Sequence, residues 1–147
     1  MPTVEQVRNK VLRMMAKNFE ITTTDDETIM VRHESSILSV EVKEWIKDND
    51  GMNTVVVLSA SILWNAKRTP ALYEWVATTG QSFLWGRVAS NLSDVSTETH
   101  LNFEHNLLGD NLDEPELVSV VLALLSKANE LDDELQKKFG GKRTADL

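Results

Sequence analysis

The chain is expected to fold as an α+β domain, an antiparallel sheet with helices beside it. Apolar residues recur at helical spacing at both ends of the chain and alternate with a period of two in between. A short helix interrupts the alternating runs, and helices bracketing an antiparallel sheet make this fold class.

Each element has its own signal. Over residues 3–18, Val4, Val7, Val11, Met14 and Met15 form one buried stripe, and Pro2 and Thr3 suit a helix start. Short alternating runs follow at Phe19–Thr23 and Thr28–Arg32, with turns at Asp25-Asp26-Glu27 and His33-Glu34-Ser35-Ser36. In Ile37–Trp45, Leu38, Val40 and Val42 point one way and Ser39, Glu41 and Lys43 the other, a strand with one wet face. Residues 47–51 read as a hairpin turn, and Asn53–Trp64 is the most apolar run, so a central strand. Thr69 and Pro70 start a helix, ALYEWVATT, that should stop at Gly80 in a left-handed conformation. Ser82–Ser90 and Ser96–Leu108 read as an antiparallel pair, with Thr99, Leu101, Phe103 and Leu107 on one face. From Leu117 apolar residues recur at 121, 124, 128, 131 and 135, the strongest helix signal in the chain. The expected order is α-β-β-β-α-β-β-α. Residues 1–141 form a single domain, and 142–147, after Gly140-Gly141, are a flexible tail.

The stretch LLGDNLDEPEL, Leu107–Leu117, has the glycine and acids of a metal loop or phosphate turn. It lacks the lysine of a P-loop and the alternating acids of an EF-hand. Asp113 precedes Glu116 by three residues, the spacing of a capping box, and Pro115 falls where a helix does not need an N–H. Gly109 permits a sharp turn out of the strand. Asp133 and Glu134 precede Lys137 and Lys138 by four, the favourable order for helix ion pairs.

Composition narrows the function. A net charge of -8 over 147 residues argues against a general nucleic-acid or anionic-membrane binder and favours basic or amphipathic partners. No cysteine means no disulfide and no thiolate metal site. The amphipathic N-terminus lacks a signal peptide's apolar core, and no run approaches the roughly 20 apolar residues of a membrane span, so a cytoplasmic protein is expected. Arg8, Lys10, Arg13 and Lys17 oppose Glu5 alone in the first helix; such charges most often form a solvated face, although an acidic partner could use them.

No constellation points to catalysis. His100 and His105 are an odd number apart and face opposite sides of one strand, so they cannot share a metal there. Ser59 and Ser61 lack the glycines of a nucleophile elbow. No catalytic, metal-binding or cofactor-binding residue is expected, and no cofactor. The four tryptophans, Trp45, Trp64, Trp75 and Trp85, are most simply core. Trp45, however, falls on the polar face of its strand, Trp85 alternates with Arg87, and Tyr73 and Trp75 cannot both face the core squarely. Asp132 lies at the edge of the last helix's apolar stripe, where it either bonds a neighbouring element or sits in a groove. Trp45, Tyr73, Trp75, Trp85 and Asp132 are therefore the candidate interaction residues.

The stretch FEHNLLGDNLDEPELVSVVLALLSKANELDDELQKKFGGK (Phe103–Lys142) resembles the C-terminal half of the actinobacterial YbjN-like family, also described as a peptide-binding chaperone group related to type III secretion chaperones. LSASIL (Leu58–Leu63), ALYEWVATTGQSFLWGRVAS (Ala71–Ser90) and the element order fit the same family, from about Phe19 onward. Trp85 departs from it, standing where a smaller or phenylalanine-like residue is expected. The resemblance implies a secretion-chaperone-like fold without a catalytic motif, holding extended or amphipathic segments of other proteins, and a homodimer through the middle helix. The alternatives are a regulatory or structural subunit with one fixed partner and, more remotely, a metal-dependent hydrolase.

Overall fold

In the computed structural model, residues 2–45 and 53–147 are described. The hairpin turn expected at 47–51 lies outside them. The elements are α1 (Val4–Asn18), β1 (Ile21–Thr23), β2 (Ile29–His33), β3 (Ser36–Glu44), β4 (Thr54–Lys67), α2 (Pro70–Ala77), β5 (Arg87–Leu92), β6 (Glu98–Leu108) and α3 (Glu114–Phe139). Four strands precede α2 rather than three, because the three-residue β1 pairs with β2 in its own right. All six strands form one antiparallel sheet in the order β1-β2-β3-β4-β6-β5, with β4 central as its apolar run requires.

The period-two pattern decides which face is covered. Leu38, Val40 and Val42 of β3, Val56, Leu58, Ala60 and Ile62 of β4, and Leu101, Phe103 and Leu107 of β6 are buried. Against them pack Leu117, Val121, Leu124, Ala128, Leu131 and Leu135 of α3 and Val7, Val11 and Met15 of α1. The opposite face, with Met30, Ile37, Ser39, Ser59 and Ser61, is only half-buried. Among the described residues no helix is long and apolar enough to cross a membrane.

Helix ends follow the local chemistry. Thr3 caps α1 with a full capping box to Gln6, and Asp113 caps α3 by accepting from Glu116 N at 2.9 Å. Asp113→Ala should cost about 0.5–2 kcal/mol, read as a lower melting temperature with peptide binding retained once folded. Gly109 is needed for space rather than for backbone freedom: a Cβ there would stand 2.5 Å from Thr54 Oγ1. Gly80 is not a left-handed stop either. The helix ends at Ala77 with Thr78 as its C-cap, and Gly80 lies buried inside a 3-10 turn, Thr79–Gln81. The strand expected from Ser82 begins at Arg87, because Gly86 turns the chain with φ 85° against the Phe103 ring.

The chain's end departs from expectation. Residues 142–147, read as a flexible tail, fold back over β4. Trp64 N donates to Lys142 O at 2.7 Å and Lys142 N to Trp64 O at 2.8 Å. Trp64 Nε1 reaches Thr144 Oγ1 at 3.1 Å, whose hydroxyl donates to Ser61 O at 2.9 Å. Asp133 pairs with Arg143 at 2.6 Å rather than along its own helix.

Candidate functional site

A sheet of six strands ends in two edges, and the chain treats them differently. At Val88 the outer side of β5 is covered by α2 and the 3-10 turn, whereas Ser90, Asn91 and Leu92 are exposed. Gln81 Nε2 donates to Val88 O at 2.9 Å and to Val76 O at 3.1 Å, and Gly80 packs on Val88. No strand pairs with the outer side of β1 among the described residues. An open edge presents unpaired backbone groups to another chain.

Both faces beside β1 are hollow. Ile21 and Thr23 stand opposite Val31 and Ile29, whose side chains are buried on the helix face; Thr22 stands opposite Met30 on the open face. On the helix side a cavity of about 180 Å³ is lined by Leu12, Thr23 and Ile29 and rimmed by the Arg8–Glu27 ion pair at 2.9 Å. On the open side a wider one, about 970 Å³, is lined by Thr22, Met30, Ile37, Arg32, Glu20 and Glu34. A strand laid along β1 would send alternate side chains into the two.

Of the five candidate interaction residues, Tyr73 and Trp75 share α2 and the others sit apart, and no described side-chain contact joins any two of them. Trp45, 54% exposed, lies just past β3, its N–H on Asn53 O at 2.7 Å. Tyr73 is 40% exposed on α2. Trp75 is 6% exposed, with its ring edge-on to Phe139 at 6.4 Å, so it is not surface. Trp85 is 49% exposed and stands edge-on to His105 at 5.7 Å, beside the exposed Leu84. Asp132 is buried beneath the β2–β3 turn, where Ser35 Oγ donates to it at 2.6 Å. Burial raises its pKa, opposed by the Ser35 bond and reinforced by Asp133. Ser35 Oγ also lies 3.0 Å from Asn129 Oδ1, and its single proton serves one of the two oxygens at a time.

The stretch that resembles a metal loop contains the most elaborate polar site of the fold. Asp110 is buried and accepts from Asn53 N at 3.0 Å, Thr54 N at 3.1 Å and Thr54 Oγ1 at 2.5 Å. Lys10 Nζ meets Gly109 O at 3.2 Å and Asp110 O at 3.1 Å. The basic face of α1 is thus largely used within the chain: Arg8 pairs with Glu27, Lys17 with Glu114 at 3.1 Å, and Lys10 binds this corner. His100 Nδ1 accepts from Asn65 N and His105 Nδ1 from Gly86 N, on opposite faces of β6. Among the described residues no group of three or more histidines, cysteines or carboxylates could hold a metal.

No curated protein matches the chain. Among solved structures it resembles the Yersinia pestis type III secretion chaperone SycH, crystallised in complex with a stable fragment of YscM2. The TM-score is 0.51 at 17% identity, over 88% of this chain and 99% of that one. At that identity the likeness speaks for the fold, a secretion-chaperone fold. Residues 3–147 match the model of the family described as "T3SS (YopN, CesT) and YbjN peptide-binding chaperone 1", TY-Chap1. With the match running over nearly the whole chain, the protein belongs to the TY-Chap1 family of peptide-binding chaperones.

Proposed function

We propose that this chain is a non-enzymatic, chaperone-like binding module of the cytoplasm that holds an extended segment of another protein along the free edge of β1. The open edge with a hollow on each face carries the reading. Such a surface takes up a strand by main-chain hydrogen bonds and selects it by alternate side chains. The family's description and the secretion-chaperone fold support it. The test is a peptide array spanning many sequences, probed with the wild type and with Thr23→Pro. Thr24 N donates to Thr28 O at 3.0 Å, so by alternation the backbone N–H of Thr22 faces β2 and that of Thr23 faces outward; proline at Thr23 removes the outward N–H and leaves the β1–β2 ladder in place. Wild-type protein should retain a set of extended peptides that Thr23→Pro loses while its melt stays cooperative. Equal binding by both would contradict the reading, and retention of a single sequence would favour a subunit with one fixed partner.

The same proposal includes a homodimer through the outer face of α2. Tyr73 is its exposed aromatic side chain, while Trp45 and Trp85 stay available for partner contact elsewhere. Light scattering at micromolar concentration should give twice the chain mass, and a wild type that stays monomeric would remove the dimer.

A further inference from the structure

We infer that the segment held at β1 is cationic, an extended strand in which apolar residues alternate with lysine or arginine. The inference rests on the β1 reading above and adds the chemistry of the partner. The two sides of β1 differ in kind. Toward α1, the hollow is lined by Leu12 and Ile29 with Asn9, Thr23 and Thr24, and its charges balance, Arg8 being held by Glu27. Toward the open face, the lining carries two carboxylates, Glu20 and Glu34, against one base, Arg32, beside Met30 and Ile37. The β1–β2 turn adds Asp25 and Asp26. Because side chains alternate along a strand, an added strand would place every second residue against the charge-balanced hollow with Leu12 and Ile29 and the rest against the carboxylate-rich one. The β5 edge has no such bias: Arg87 and Asp94 are the charged residues of 82–97. A chain of net charge -8 also draws cationic segments in from a distance.

The test uses the full-length protein and fluorescent peptides of about eight residues, the length of a long strand. One alternates valine and lysine, one valine and glutamate, and one is the valine–lysine peptide with alternate amides N-methylated. Anisotropy is read at about 50 mM and about 500 mM salt, and backbone amide shifts are followed by NMR. The valine–lysine peptide should bind about tenfold or more tighter than the valine–glutamate one, as a few exposed ion pairs would give. It should shift Ile21–Thr23 and lose that advantage in high salt and in Glu20→Lys/Glu34→Lys. Asp94→Lys, remote from β1, should change nothing. Equal binding of both peptides at β1 overturns the charge inference and leaves the edge reading standing. If the N-methylated peptide binds as well as its parent, or no peptide shifts Ile21–Thr23, the edge reading falls and this inference with it.

Discussion

Trp75→Glu should leave the protein unfolded or nearly so, whereas Tyr73→Glu should leave it folded. The two residues are neighbours on an eight-residue helix that is too short to stand alone. Leu72 and Trp75 are the side chains that hold α2 to the body of the fold. The Trp75 ring meets Phe139 near the end of α3, and Gly80 closes on it from the following turn. A glutamate there removes the ring and puts a carboxylate where water does not reach. Losing a buried tryptophan costs roughly 3–5 kcal/mol, and the stranded polar group adds more. That approaches the roughly 5–15 kcal/mol that holds a domain together. Tyr73 projects outward, so a charge there leaves the monomer intact and acts on assembly alone. Circular dichroism melts and light scattering on both variants read this out. A cooperative melt for Trp75→Glu near the wild-type temperature would show that α2 is not anchored as described.

Asp110→Ala should lower stability by roughly 3 kcal/mol, about 6–12 °C in melting temperature for a domain of this size. The substitution strands the N–H groups of Asn53 and Thr54 at the start of β4 and loosens the corner that Lys10 ties to α1. The effect also has a pH signature. Burial works against the charged form of Asp110, but the Thr54 hydroxyl, the two N–H groups and Lys10 outweigh it and hold the pKa below its usual value of 3.8. The stabilisation is therefore complete above about pH 4 and fades as acid protonates the folded carboxylate. Asp132 runs the other way. Its pKa is raised by burial, so the folded state loses stability as pH rises through the carboxylate range. Asp132→Asn should accordingly keep or raise the melting temperature at neutral pH, while Asp110→Asn lowers it. Equal losses in both would show that the two carboxylates do not differ in this way.

These two aspartates show what was legible in the sequence. The helices were, because a 3.6-residue stripe and a cap such as Thr3 or Asp113 are local signals. The buried face of the sheet was legible too, since Leu38, Val40 and Val42 alternate cleanly with Ser39 and Glu41. Asp110 was not: its donors lie 56 and 57 positions away in sequence, so its job exists only once β4 sits beside β6. The closing strap was missed for the same reason, since Thr144 finds Trp64 and Ser61 across the fold. Trp75 carried the same apolar signal as Tyr73, and only the placement of Phe139 decides which is inside. The β1 edge left the faintest trace, three residues whose importance lies in what does not pair with them.

The most direct test of that edge is amide hydrogen exchange, with and without the tightest-binding peptide from the array. Strand addition predicts slowed exchange at Ile21–Thr23, with little change on β5. Protection around Leu84–Trp85 or Tyr73, with Ile21–Thr23 exchanging as before, would contradict it and move the binding surface to the exposed aromatic residues.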